Sequence, residues 1–395
     1  MEVTYNDRLV GSRSGWSAVI SMALCVAVLI ASEFMPVSLL SPIASDLGIT
    51  AGQTGQAISV SGAFAVLTSL FVAGLTRRID RRTVVLTFTG LLIVSGLIVT
   101  FAANYTVLMV GRALLGVAIG GFWSMSTAII MRLLPSDLVP KGLALLNAGN
   151  AIAATIAAPL GSFLGAYIGW RGTFFMVVPL GLLALVWQWI SLPALAPQGG
   201  RSANVFRLLV RPPVALGMCS ILFLFMGQFA LFTYLRPFLE QVTQLNIHAL
   251  SLMLLLVGLA GVAGTWCIGR LLQQRLFSIL IAIPLVMASL AAALIAFGAA
   301  PLMVSLLLVA WGFFGTAAPV GWGTWLTRTM PNDAEAGGGL QVAVIQLAIT
   351  AGASGGGFLF DTVGWWSTFT LSAVLLCASS LLALAAWRTT RSTGR

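Results

Sequence analysis

The chain has 395 residues, of which 59% are hydrophobic and only 8% charged. A soluble domain carries about 25% charged residues, so this composition excludes a soluble enzyme, a disordered chain and a secreted disulfide scaffold. The net charge of +10 comes from 20 Lys and Arg against 10 Asp and Glu, scattered through short loops between apolar runs; that pattern points to membrane topology and not to a nucleic-acid partner.

Residues 1–15 are polar and read as a cytoplasmic tail. Apolar runs long enough to cross a bilayer core of roughly 30 Å then follow one another to the end of the chain. Twelve are predicted: 16–41, 53–75, 83–101, 106–131, 142–168, 172–192, 214–236, 248–270, 276–298, 301–326, 339–360 and 366–387. The first is too long for a signal-peptide core and contains Glu33, so it reads as a span that stays in the membrane. The runs group into a six-helix bundle over 16–192, a cytoplasmic linker over 193–213, a second bundle over 214–387 and a tail over 388–395. The expected fold is therefore all-α and membrane-embedded. The four cysteines lie inside apolar runs without a CxxC pair, so no disulfide framework, metal site or cofactor is expected.

With the N-terminus placed inside, 17 of the 20 Lys and Arg fall on the inner side. Arg171 and Arg236 fall outside and Arg112 falls within a span. The excess of positive charge predicts both termini in the cytoplasm. The halves also repeat. EFMPVSLLSP (33–42) meets QFALFTYLRP (228–237) at an offset of 195. RLLPSD (132–137) meets RTMPND (328–333) at 196, and Gly169-Trp170 meets Gly364-Trp365 at 195. An offset of six spans means that the second copy enters the membrane in the same direction as the first. Such parallel repeats place a solute path between the halves near the midplane.

Glu33 is the single acidic residue within a span, and a carboxyl there is a candidate for carrying a transported proton. It lies five residues beyond the centre of the first span, ~7.5 Å outside the midplane. Arg112 lies six residues before the centre of the fourth, ~9 Å outside it. A charge in a span costs ~3 kcal/mol on insertion scales and faces a cavity or a partner. Two readings follow: a titrating coupling site, or a permanent Glu33–Arg112 ion pair that holds the bundle together. Polar and aromatic residues at mid-span positions are candidates for solute contact: Trp123, Asn147, Asn150, Gln228, Phe229, Tyr234, Trp322, Trp325, Gln341 and Gln346. Asn147/Asn150 and Trp322/Trp325 are i,i+3 pairs on one helix face. Amides with aromatics suit a planar, hydrogen-bonding solute, while a lone Trp equally fits a membrane interface. His248 reads as an incidental loop residue. One His and one buried acid do not make an enzyme site.

The loop LTRRIDRRTVV (75–85) resembles the conserved loop of the major facilitator superfamily, which runs Leu-Ala-Asp-Arg-x-Gly-Arg-Arg. Arg78, Arg81 and Arg82 occupy its basic positions; Arg77 stands for the Asp and Asp80 for the Gly. Arg112 with Gly116 is similar to the Arg-x-x-x-Gly pattern of that family's fourth span. AAPLGSFLGAYIGWR (157–171) is similar to the fifth-span motif of its drug:proton antiporters. The resemblance covers nearly the whole chain and implies twelve transmembrane helices in two parallel six-helix repeats. It implies that Arg78, Asp80, Arg81 and Arg82 form a conformational-switch loop. It implies proton-coupled export across a bacterial inner membrane by a monomer, with the bilayer, a small solute and protons as its only partners. EFMPVSLLSPIASDLGI (33–49), GQFALFTYLRP (227–237) and PVGWGTWLTR (319–328) resemble stretches of the family's purine ribonucleoside exporters, and that resemblance implies solutes such as inosine and guanosine. Sugar (arabinose-type) efflux and broad drug export remain as alternatives.

Overall fold

The computed structural model describes residues 2–76, 78–135, 138–196, 205–330 and 334–393. Among them, eleven apolar stretches are long enough to cross a membrane. Lys141–Ser191, at 51 residues, would be ~76 Å long if straight, over twice a bilayer core. It reverses at Gly169, where φ is 71° and ψ 168°, so it supplies two spans, which makes twelve passes among the described residues. The spans are Gly15–Leu47, Ala51–Val72, Arg81–Thr100, Tyr105–Leu133, Lys141–Ser191 as the fifth and sixth, Pro212–Gln241, Ile247–Ile268, Arg275–Phe297, Pro301–Thr329, Gly337–Thr362 and Trp365–Thr390. Arg77 and linker residues 197–204 lie outside the described residues.

Two boundaries differ from the sequence reading. The first helix, Glu2–Leu47, starts well before residue 16. The seventh span is broken, with helices Pro212–Phe232 and Leu235–Gln241 separated at Thr233 and Tyr234. Pro237 explains the break: it has no N–H for the Thr233 carbonyl four residues back.

The repeat is visible in the packing. Span one packs on five and six, two on four, and three on six; seven packs on eleven and twelve, the eighth and ninth on ten, and nine on twelve. Glycines set the close approaches at equivalent places. A Cβ on Gly116 would strike the Ser61 carbonyl, and one on Gly312 would strike the Val257 carbonyl. Both positions of this pair recur at an offset of 196, with Ser61 replaced by Val257. The small side chains let backbones touch where apolar burial supplies no drive between helices in lipid. The turns match as well. Gly169 (φ 71°) and Gly364 (φ 116°) each precede a Trp, and the left-handed region favours glycine at such corners.

Each half has its own apolar core. One gathers Met22, Leu29, Leu115, Phe122 and Phe174; the other gathers Ile221, Phe238, Met287, Trp322 and Phe369. The halves meet through spans two with eleven and five with eight. Several of these contacts lie toward the membrane face opposite the chain termini. Thr50 Oγ1 donates to Asp361 Oδ2 at 2.5 Å, the Gly52 N–H donates to Asp361 Oδ1 at 3.0 Å, and Ser251 Oγ donates to Ser162 Oγ at 2.9 Å.

Candidate functional site

The two charges read as a site from sequence come together in the N-terminal half. Glu33 is 1% exposed and Arg112 is 0% exposed. The local cause is Pro36. A proline leaves the carbonyl four residues back without its helical donor, here that of Ser32. Arg112 Nη1 donates to the Ser32 carbonyl at 2.7 Å. Arg112 Nε donates to the Ala57 carbonyl at 2.8 Å, and Nη2 donates to the Glu33 carbonyl and to Ser61 Oγ, both at 3.1 Å. Four of the five guanidinium N–H groups are thus engaged, and the fork ties spans one, two and four together.

None of these bonds reaches the Glu33 carboxylate. Among the described residues, Glu33 and Arg112 form no direct ion pair. The carboxylate instead crosses between the halves: Gln346 Nε2, on span eleven, donates to Glu33 Oε1 at 3.3 Å. The neighbouring side chain crosses as well. Phe34 stacks on Phe229 with ring centroids 5.6 Å apart. At the repeat offset of 195, Phe229 is the counterpart of Phe34 and Gln228 that of Glu33.

Two amide oxygens in this region, Gln228 Oε1 and Gln346 Oε1, are buried without a hydrogen-bond partner among the described residues. Asn150, Gln341 and Trp123 are partly exposed. Asn147 is exposed and donates to its own helix at the Leu143 carbonyl, 2.8 Å away. Trp322 and Trp325 are buried and meet edge to face at 5.3 Å. Trp325 covers Gly217 of span seven and lines a groove at the terminus-bearing face. Tyr234 sits at the break in span seven, where its hydroxyl donates to the Ala353 carbonyl at 2.7 Å and its ring stacks on Phe360. The structure therefore groups Glu33, Arg112, Gln346 and Phe229, and sets Tyr234 and Trp325 into helix packing elsewhere.

The basic loop is held to its own half. Asp80 caps the third span, its Oδ1 accepting from the Arg82 N–H at 2.8 Å. That role suits an Asp at the N-cap. Arg81 Nη1 donates to Thr76 Oγ1 at 2.7 Å, and Arg82 Nη2 to the Trp189 carbonyl at 2.6 Å. Arg78 is exposed.

Residues the sequence reading did not single out complete the picture: Phe34, Ser61, Asp361, and Arg236 beyond its side of the membrane. Arg236 is 5% exposed. Its Nη1 donates to the Ser38 carbonyl of the first span, and its Nε donates to Glu240 Oε1 at 2.7 Å. Ser38 lies four residues before Pro42. Both buried arginines thus satisfy carbonyls that prolines of span one leave without a helical donor.

Twelve helices in two parallel repeats, with buried charges where the repeats meet, define a multi-pass membrane transporter and not an enzyme. The sequence matches the Major Facilitator Superfamily over residues 22–340, and the chain belongs to that superfamily. It is 53% identical over 374 residues, 93% of each chain, to a Pseudomonas aeruginosa protein named transcription regulatory protein OpdE. It is 43% identical over 380 residues, 96% of each chain, to the purine ribonucleoside efflux pump NepI of Salmonella enteritidis. Its fold is similar to that of a bacterial homologue of the human lysosomal transporter Spinster, solved in an inward-facing and occupied conformation. The TM-score is 0.76 over 94% of this chain and 96% of that one, at 15% identity.

Proposed function

We propose that this chain exports purine ribonucleosides in exchange for protons across a bacterial inner membrane. It does so by alternating access, as a monomer with both termini and the 193–213 linker in the cytoplasm. The bundles over 16–192 and 214–387 are the moving bodies. The observation that carries the reading is the bond from Gln346 to Glu33, which joins a fully buried carboxylate of span one to the opposite half. An ionised Glu33 holds the Gln346 amide through a charge-assisted bond, roughly twice as strong as a neutral one. The amide oxygen is then left to accept from a solute N–H or hydroxyl. Protonation of Glu33 weakens that hold and dismantles the acceptor. Solute and proton thus favour opposite states of one site, the requirement of antiport. Phe34 and Phe229 supply aromatic faces for a planar base. The 43% identity to NepI over 96% of the chain supports the solute class. The Pseudomonas relative is named for transcription regulation; in a membrane-embedded chain with 8% charged residues, such an effect would run through the solute moved.

Proteoliposomes loaded with labelled inosine, a labelled pentose or a lipophilic cation test this reading. A proton gradient should drive inosine uphill and leave the other two near equilibrium. Uphill movement of the cation instead would make the chain a drug exporter, and of the pentose a sugar exporter. Gln346→Ala and Gln228→Ala should each weaken apparent inosine affinity roughly ten- to a hundred-fold, the loss of ~1–3 kcal/mol from one amide bond. Unchanged affinity in both variants would remove the two amides from the solute site.

Alternating access requires the contacts at the face opposite the termini to part. The Asp361 carboxylate takes the Thr50 hydroxyl and the Gly52 N–H at the start of span two, capping that helix from the other half. A disulfide between cysteines substituted for Thr50 and Asp361, in a background lacking the four native cysteines, should stop transport until it is reduced. Undiminished turnover by the cross-linked protein would show that this contact is not a gate.

A further inference from the structure

Where span seven faces span ten, three buried polar atoms have no hydrogen-bond partner among the described residues: Gln228 Oε1, Thr233 Oγ1 and Trp311 Nε1. A Cβ on Gly315 would lie 3.1 Å from Gln228 Nε2, so that amide rests directly against span ten. Trp311 stands one turn from Gly315 on the same helix face, ~6 Å toward the membrane face opposite the termini. Thr233 stands five residues beyond Gln228, ~7.5 Å in the same direction, because the two spans run opposite ways. Trp311 is 2% exposed and Thr233 0%. The first half has no such set. At the repeat offsets Leu115 stands for Trp311 and Ser38 for Thr233. Leu115 is apolar and buried, and Ser38 Oγ donates to the Met35 carbonyl at 3.0 Å. Glu33, the counterpart of Gln228, accepts from Gln346. Buried polar atoms left unpaired are costly, and folded proteins keep few of them without a ligand or water to answer them.

We infer that Gln228, Thr233 and Trp311 form the subsite for the sugar of the solute, with Trp311 as its specificity-determining donor; the inference rests on the nucleoside reading above. The indole N–H can only donate, the amide oxygen can only accept, and the threonine hydroxyl does either. The vicinal hydroxyls of a ribose supply the matching groups: one oxygen accepts from Trp311 Nε1, and one O–H donates to Gln228 Oε1. Phe229, the residue after Gln228, stacks on Phe34 and carries the aromatic face assigned to the base, which leaves the sugar to the polar set beside it. Water is the other possible occupant, and the two differ in what they discriminate. A site built to bond hydroxyls rejects an analogue that lacks them, because its own buried groups are then left unpaired. Atoms answered by water make no such distinction.

The full-length protein in detergent, with labelled inosine displaced by unlabelled inosine or by 2′,3′-dideoxyinosine, tests this. The two ligands share the base and differ in the vicinal hydroxyls. Wild-type protein should hold inosine at least about tenfold tighter than the dideoxy analogue. Trp311→Phe removes the N–H and keeps an aromatic ring; Thr233→Val removes the hydroxyl and keeps the shape. Each should weaken inosine by about tenfold and the dideoxy analogue by less than about threefold, so that the gap between them narrows. A fault in folding would weaken both ligands alike and leave the gap unchanged. Equal wild-type affinity for the two ligands, or a wild-type gap in both variants, would overturn the assignment and leave the three atoms to water. Wild-type protein that does not bind inosine at all would overturn the nucleoside reading and this subsite with it, a result seen before any variant is made.

Discussion

Arg112→Leu is expected to be the most damaging single substitution in the spans. At the repeat offset of 196, a buried leucine, Leu308, already occupies the equivalent position of span ten, so shape alone does not forbid the change. The loss is in hydrogen bonding. Three carbonyls, of Ser32, Glu33 and Ala57, and the Ser61 hydroxyl lose their donor together. The Ser32 carbonyl has no helical N–H to fall back on, because Pro36 stands where that donor would be. A buried acceptor left unpaired costs ~1–3 kcal/mol, and Glu33 would also lose the neighbouring positive charge. A destabilisation of at least ~3 kcal/mol follows, with little folded protein recovered from membranes. Arg112→Lys should recover only part of it: an ammonium is a point donor and cannot span four acceptors on two helices as the planar fork does. Thermal unfolding in detergent and the yield of monodisperse protein measure both variants. A wild-type melting temperature for Arg112→Leu would show that the fork is dispensable.

The fold was legible in the sequence because a bilayer imposes a length on every element and the repeat imposes a register. The Gly-Trp corners at 169–170 and 364–365 marked equivalent turns, and both glycines take positive φ. The break in span seven was written in Pro237 but went unread, since the apolar run continues through it. The depth arithmetic placed Glu33 and Arg112 at one level, and they do lie together. Depth along a helix axis does not say whether a guanidinium meets a carboxylate or a carbonyl. The relevant signal was Pro36, four residues after Ser32, and again Pro42, four residues after Ser38. Each frees a carbonyl that some donor must satisfy. Which arginine answers, Arg112 or Arg236, depends on helices brought together from distant parts of the chain. The same holds for Gln346 on Glu33, a contact between residues 313 apart in sequence. The repeat also sharpens what is special here. At the repeat offsets the second half carries Gln228 and Leu308 where the first carries Glu33 and Arg112. The Glu33 and Arg112 charges therefore have no charged counterparts at the equivalent positions of the second half.

Glu33→Gln is expected to abolish proton-driven accumulation while downhill exchange of nucleoside persists. The substitution keeps the side chain's length and its oxygen, so Gln346 still finds an acceptor and Arg112 still finds the carbonyls of Ser32 and Glu33. What disappears is the exchangeable proton and the charge that ties Gln346 more firmly in one state than in the other. On the proposed mechanism, solute enters the site whose amide is held by the ionised carboxylate; proton uptake from the opposite side would then loosen that amide, and the two half-reactions would be coupled because they compete. In the variant the amide is held equally on both sides of the membrane. A site with no differential affinity cannot use the gradient. Counterflow of labelled inosine against unlabelled inosine should therefore continue within about an order of magnitude of the wild-type rate. Net uphill movement should vanish, and collapsing the proton gradient should change nothing. If Glu33→Gln vesicles accumulate inosine as the wild type does and lose it when the gradient collapses, the proton travels elsewhere. Glu33 is then a structural anchor between spans one and eleven.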